Sequence, residues 1–229
     1  MQVNSIYIMA GLIVVVAIIG ILASMLLPSL QKARSASLFA VCKNNQKQIG
    51  YAFVLYNDTY QTLPYGEIPT GSKSASWEIR IATFMGVEYE DSFLQSNDST
   101  APVNNPSLLC PEDKEITRST GFARSFRVNA MDYWLDQNSN FGVFSRAKSR
   151  DLSHIKSGTV ILMEDHTYQN FKYQGMTWYS NISVQADYDG MSTDHMRNKF
   201  NFLYEDGHVE GGLKSILMMN ARELLRAVD

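Results

Sequence analysis

Six side chains in the second half of this 229-residue chain are of kinds that hold metals or move protons: Asp165, His166, Asp194, His195, Asp206 and His208. Imidazole and carboxylate together suit zinc and other divalent ions. No His-Glu-x-x-His helix, ligand-spaced cysteine pair or dense acidic loop organises them, so each reads first as a structural residue. Asp206-Gly207 reads as a two-residue hairpin turn of the primed kind. Asp165-His166 reads as the end of a strand, and His195 as a loop residue hydrogen-bonding across to that hairpin. Residues 185–190, Gln-Ala-Asp-Tyr-Asp-Gly, with Asp194 close behind, place hard oxygen ligands for calcium at Asp187, Asp189 and Asp194. The competing reading is a solvated acidic loop that turns at Asp189-Gly190. The absence of a Gly-x-Ser-x-Gly elbow and of a phosphate-cradling glycine loop leaves nucleophilic and nucleotide chemistry without a foothold. The expectation is therefore no catalytic residue, no enzyme activity and no cofactor apart from that calcium loop.

The elements that must position these residues alternate between turn-rich and strand-like stretches. Residues 159–163, Thr-Val-Ile-Leu-Met, read as a buried strand and residues 176–183 as a second. Residues 199–205 alternate, with Phe200, Phe202 and Tyr204 on one face against Asn201, Leu203 and Glu205. His208-Val209-Glu210 returns after the turn, and Gly211-Gly212 ends the sheet. Leu213, Ile216, Leu217, Leu224, Leu225 and Val228 mark the inner face of a final helix. Residues 77–87 suit a short helix, and prolines and glycines around 64–71 punctuate the loops. The aromatic set Phe171, Tyr173, Trp178 and Tyr179 could line a glycan or peptide groove, though aromatics in a small sheet belong more often to the core.

The first half is of another character. Residues 1–31 hold no charge, and residues 6–27 read IYIMAGLIVVVAIIGILASMLL. A helix of that length rises about 33 Å, enough to cross a hydrocarbon layer of about 30 Å. Its length and the lack of a basic flank before it favour a retained anchor over a cleaved signal peptide. The helical period continues through Leu30, Ala33, Ser37, Ala40, Val41, Asn44, Gln48, Ile49, Ala52, Phe53 and Tyr56, with Lys32, Arg34, Lys43, Asn45 and Lys47 opposite. Asn57-Asp58-Thr59 supplies the stop, giving one helix of about 50 residues, on the order of 75 Å long. Pro28 is a candidate kink. The expected organisation is an anchor over 1–31, an amphipathic continuation over 32–58 and a globular domain over 59–229. Cys42 and Cys110 either pair, closing a loop of about 68 residues worth about 4 kcal/mol, or remain two separate structural thiols. Net charge is −3 and charged residues make up 19% of the chain, so no basic excess points to nucleic acid.

Residues 14–28, VVVAIIGILASMLLP, followed by SLQKAR, resemble the N-terminal segment of type IV pilin-like proteins, including the pseudopilins of type II secretion. Residues 42–50, Cys-Lys-Asn-Asn-Gln-Lys-Gln-Ile-Gly, resemble one large bacterial subgroup of them. So do residues 110–113, Cys-Pro-Glu-Asp, residues 125–129, the strand ending Met163-Glu164-Asp165, and the closing His195…Asp206-Gly207 pair. That subgroup has a histidine, nine residues, then Asp-Gly. Here ten residues stand between His195 and Asp206.

The resemblance implies an α+β fold in which a long N-terminal helix packs on an antiparallel sheet with irregular insertions and a C-terminal helix. It implies a structural, fibre-forming subunit that partners other pilin-like subunits through that helix. It further implies insertion in the bacterial inner membrane with a periplasmic domain, and processing and N-methylation by a prepilin peptidase at Ile6-Tyr7. It also implies a calcium loop near the C-terminal sheet, as in major pseudopilins. Tyr7 stands where pilins carry an aromatic first mature residue. Ile6 replaces the cleavage glycine, Gly11 replaces the glutamate of the fifth mature position, and no Lys or Arg precedes the anchor. The basic residues after the anchor would by charge alone place the domain in the cytoplasm, against the periplasmic side that the resemblance implies. The alternative is a solitary membrane-tethered envelope protein with a ligand-binding or hydrolytic domain.

Overall fold

The structure is a computed structural model. It describes residues 2–64, 77–87, 105–113, 125–131, 143–144, 150–164, 176–179, 195 and 199–213. Asp165, His166, Phe171, Tyr173, Asp187, Asp189, Asp194 and the expected C-terminal helix beyond Leu213 lie outside the described residues. Two compact units are distinguished, Met1–Leu38 and Phe39–Asp229.

The first unit is helical. Helix α1 runs Gln2–Tyr60 and includes Pro28. From Met9 to Leu30 its large apolar residues are exposed on every side, Leu12 and Ile13 at 65% and Leu30 at 66%. Ala10, Gly11, Ala17, Gly20, Ala23 and Ser24 are interspersed among them. This is the one helix among the described residues long and apolar enough to cross a membrane.

In the second unit α1 becomes one-sided. Cys42, Asn45, Gln46, Ile49, Ala52, Phe53 and Tyr56 are buried, at the spacing of one helical face. The stripe is rotated from the sequence expectation. Val41, Asn44 and Gln48 are exposed, and Asn45, expected to face outward, is inside. The reason is chemical: Asn45 and Gln46 are buried because they hydrogen-bond neighbouring backbone, which an apolar pattern cannot reveal. The helix also outlasts the expected stop at Asn57-Asp58-Thr59. Asn57 remains helical and spends its side chain elsewhere, donating to Asp151 Oδ1 (3.2 Å) and accepting from Leu152 N–H (3.1 Å). Termination falls just beyond that stop, after Tyr60, where Gln61 adopts φ 56° and its N–H donates to Asn57 O.

The fold is α+β. Strands β1 (Phe126–Met131), β2 (Val160–Glu164), β3 (Met176–Tyr179), β4 (Lys199–Tyr204) and β5 (Val209–Leu213) form one sheet in the order β3-β1-β2-β4-β5. The β1-β2-β4-β5 pairings are antiparallel, and β3 runs parallel to β1 at the edge. A short helix α2 (Trp77–Ala82) continues as a 3-10 turn (Thr83–Met85). Phe53 of α1 meets Trp77 and Phe144 with ring centroids 5.5 and 5.2 Å apart, and Ile49, Ile81, Phe126, Val128, Leu162 and Leu203 complete the same core. Strand β4 is buried from Phe200 to Tyr204, so both its faces are covered.

Two details of the β4-β5 hairpin differ from expectation. Gly207 N–H bonds Tyr204 O and Tyr204 N–H bonds His208 O (both 3.0 Å), so the connection is the three residues Glu205-Asp206-Gly207. Only Gly207 (φ 84°) is left-handed there, whereas a primed two-residue turn would need Asp206 to be so as well. Gly211 and Gly212 do not end the sheet but lie within β5. They are glycine because rings fill the space of a side chain. A Cβ on Gly211 would stand 2.8 Å from Phe39 Cζ, and one on Gly212 would stand 3.0 Å from Phe202 Cε2. Gly211→Ala should therefore lower stability by about 1–3 kcal/mol, read by thermal unfolding of the full chain in detergent. Adding Phe39→Leu should recover most of the loss, and failure to recover it would show that the clash is not the cause.

Candidate functional site

Four elements deliver their polar residues to one place beside α1. Cys42 of α1 is joined to Cys110 by a disulfide, with Cα atoms 5.1 Å apart. One turn along the helix, the Asn45 amide donates to Pro106 O (3.3 Å), at the start of the 3-10 turn Pro106–Leu108, and to Leu109 O (2.8 Å), just past its end. Asn105 caps the start of that turn by accepting from Ser107 N–H, and Ser107 Oγ donates to Gln48 Oε1 (2.6 Å). Beyond Cys110 the chain is fixed by Ser125, whose hydroxyl accepts from Cys110 N–H (2.9 Å) and donates to Asp113 Oδ2 (2.8 Å). This sets Glu112, at the turn between, against the sheet.

On the sheet side, Glu164 ends β2 with its side chain fully buried. Its Oε2 accepts from Asn201 N–H (3.2 Å) and Nδ2 (3.0 Å) of β4, and Gln46 Nε2 of α1 donates to Asn201 O (3.0 Å). His195 fills the space between. Its Nε2 lies 2.8 Å from Glu164 Oε1 and 3.5 Å from Cys110 Sγ, and its Nδ1 bonds Glu112 Oε2. The imidazole side chain is 1% exposed. The Phe39 ring stands edge-on to it at 4.8 Å.

Both ring nitrogens of His195 face carboxylates, and only the imidazolium can donate from both. Burial pushes its pKa down, but the hydrogen bond and charge of Glu164 and then of Glu112 outweigh burial, and the net shift is upward. A histidine whose pKa is raised by folding adds stability below its ordinary value, about 6.5. That stability is lost as pH rises through the raised folded value. For the disulfide-bonded chain, the melting temperature should fall as pH rises above about 6.5. In His195→Gln it should start lower and change less; an unchanged pH slope in that variant would rule out His195 as its source. Removing the disulfide, which spans a sequence separation of 68, should cost about 4 kcal/mol. Denaturant unfolding of Cys42→Ser/Cys110→Ser measures that loss.

The chain's other sequence-predicted site residues are distributed differently. Asp206 Oδ1 accepts from His208 N–H (3.0 Å) and pairs with His208 Nδ1 (2.5 Å), and the His208 ring stacks on Tyr204 at 4.2 Å. The His208 backbone hydrogen bond is the main cause holding the Asp206 carboxyl below its usual range. Asp206 and Gly207 thus shape an exposed turn, while His195 engages Glu112 and Glu164 rather than reaching across to that turn. The calcium candidates Asp187, Asp189 and Asp194 fall outside the described residues. Tyr7 is exposed on α1, and Ile6 lies within the same helix. Glu112 and Glu164 escape the sequence reading as partners of His195. Their adjacency to Cys110 and to the end of β2 is the only local signal, and neither shows that a histidine 83 and 31 residues away closes on them.

Fold and site together define, within the second unit, a mixed sheet packed on the amphipathic part of α1, with a buried histidine-carboxylate-disulfide centre between them. Residues 31–201, well over half of the chain, match the family described as proteins of unknown function, DUF1559. The chain belongs to that family. No curated protein and no solved structure matches it.

Proposed function

We infer that this protein is a membrane-anchored, pilin-like structural subunit that assembles through the first part of α1. The observation that carries this reading is the charge-free run over residues 9–30, exposed and apolar on all sides. A helix of that kind is stable in lipid or against other apolar helices and not in water. The small residues Gly11, Ala17, Gly20 and Ser24 on it allow backbones to approach closely in lipid, and Ser24 Oγ satisfies itself on Ile21 O (2.7 Å).

In this reading the chain first sits in the bacterial inner membrane with its sheet domain in the periplasm, where a Cys42–Cys110 disulfide is chemically at home. Assembly then exchanges lipid contacts for helix contacts with other pilin-like subunits, in a fibre or pseudopilus of a type II secretion or type IV pilus-like system. The protein has no catalytic role in this scheme. A prepilin peptidase would act between Ile6 and Tyr7, and methylation would follow at Tyr7. Gly20→Leu, or a charge placed at Val16, should reduce recovery of the chain in sheared fibre fractions by about tenfold or more, since an ionised group in an apolar helix contact costs several kcal/mol. The domain should remain folded by circular dichroism. Normal fibre yield from both variants would refute assembly through this segment.

A further inference from the structure

Cys42 Sγ, Cys110 Sγ, Glu164 Oε1 and His195 Nε2 all stand within 4.8 Å of one another, and all four residues are buried. We propose that these four form a closed zinc-class metal site when the Cys42–Cys110 bond is reduced, so that this centre alternates between a disulfide and a bound divalent ion. The proposal is independent of whether the chain assembles into fibres.

Two thiolates, an imidazole and a carboxylate make a donor set that favours a tetrahedral, borderline-soft ion over calcium or magnesium. Tetrahedral zinc bonds of about 2.0–2.3 Å place ligand atoms roughly 3.3–3.8 Å apart. The observed cluster, within 4.8 Å, needs to contract by roughly 1–1.5 Å at its widest, while the two sulfurs separate from bonding contact.

The surroundings are those a metal-binding imidazole requires. The nitrogen that would bind, Nε2, already faces Cys110 Sγ and Glu164 Oε1. The opposite nitrogen, Nδ1, is held by the Glu112 carboxylate, which fixes the ring's tautomer and orientation. Glu164 is likewise oriented, its Oε2 accepting from Asn201 N–H and Nδ2 while Oε1 faces His195 Nε2. Three ligands arrive on scaffolded elements: Cys42 on α1, Glu164 at the end of β2, and Cys110 on the segment pinned by Ser125.

The redox step balances. A dithiol delivers two electrons and two protons to the Cys42–Cys110 bond and leaves as a disulfide. The divalent ion then displaces both thiol protons and the proton between His195 Nε2 and Glu164, and the loaded site carries one net negative charge from two thiolates and one carboxylate.

The test uses the full chain in detergent, reduced with a phosphine, which transfers electrons without supplying a competing thiol. Reduced and oxidised samples are exposed to Zn2+ or Co2+ and desalted, and metal per chain is measured. The proposal expects one ion per reduced chain and none above background in the oxidised chain, with thiolate-to-cobalt charge-transfer absorption in the Co2+ form. Cys42→Ser and His195→Ala should weaken that absorption. Glu112→Gln should preserve the stoichiometry and spectrum but lower affinity about 10- to 100-fold. Circular dichroism covers a reduced chain that loses its fold: recovery on adding Zn2+ supports the site, and no recovery overturns it. Equal metal in reduced and oxidised samples, or full binding by Cys42→Ser/Cys110→Ser, also overturns it.

Discussion

One helix carries two kinds of surface, and the rest of the structure answers to that. Over residues 9–30 the side chains of α1 are apolar on every side and exposed. From Cys42 onward the same helix presents one buried face and one wet face. The first arrangement is stable only under a non-aqueous cover, and the second only against a sheet. The domain must therefore grip the helix within a few turns, and it does so with means stronger than apolar contact alone.

Those means are layered along α1. Cys42 supplies a covalent tie, Asn45 and Gln46 supply hydrogen bonds to backbone on two different segments, and Ile49, Ala52 and Phe53 supply apolar burial. Gly50 admits β4 closely, since a Cβ there would stand 2.9 Å from Leu203 Cδ1. His195 closes the polar layer by joining the segment after Cys110 to the end of β2. Burying an imidazolium with two carboxylates is no cheap source of stability, because each ion loses water. Its value lies in geometry. The bonds between Gln46, Asn201, Glu164 and His195 form only when α1, β2 and β4 dock as they do here, and removing one partner strands the others.

How much of this was legible in the residues follows from the same chemistry. The apolar run, β2 and β4 stand out because an uninterrupted or alternating hydrophobic pattern directly reports what must leave water. Strand β1 does not stand out: its Arg127 and Asn129 are buried, and Asn129 spends its amide on Val160 O of β2 (2.8 Å). The phase of the α1 stripe was obscured for the same reason, through Asn45 and Gln46. Gly211 read as a terminator because glycine's commonest meaning is a break, whereas here it marks contact with a distant ring, Phe39. The centre around His195 was legible as residue types and not as a constellation, since Glu112 and Glu164 come to it from separate parts of the chain.

The assembly proposed above needs the exposed part of α1 to pack against neighbouring subunits, copies of this chain among them. A photo-reactive residue placed at Val16 in the living cell tests that most directly. Assembly through α1 should give a ladder of crosslinked multimers of this chain after illumination. Crosslinks to lipid alone, with the protein remaining monomeric, would contradict it.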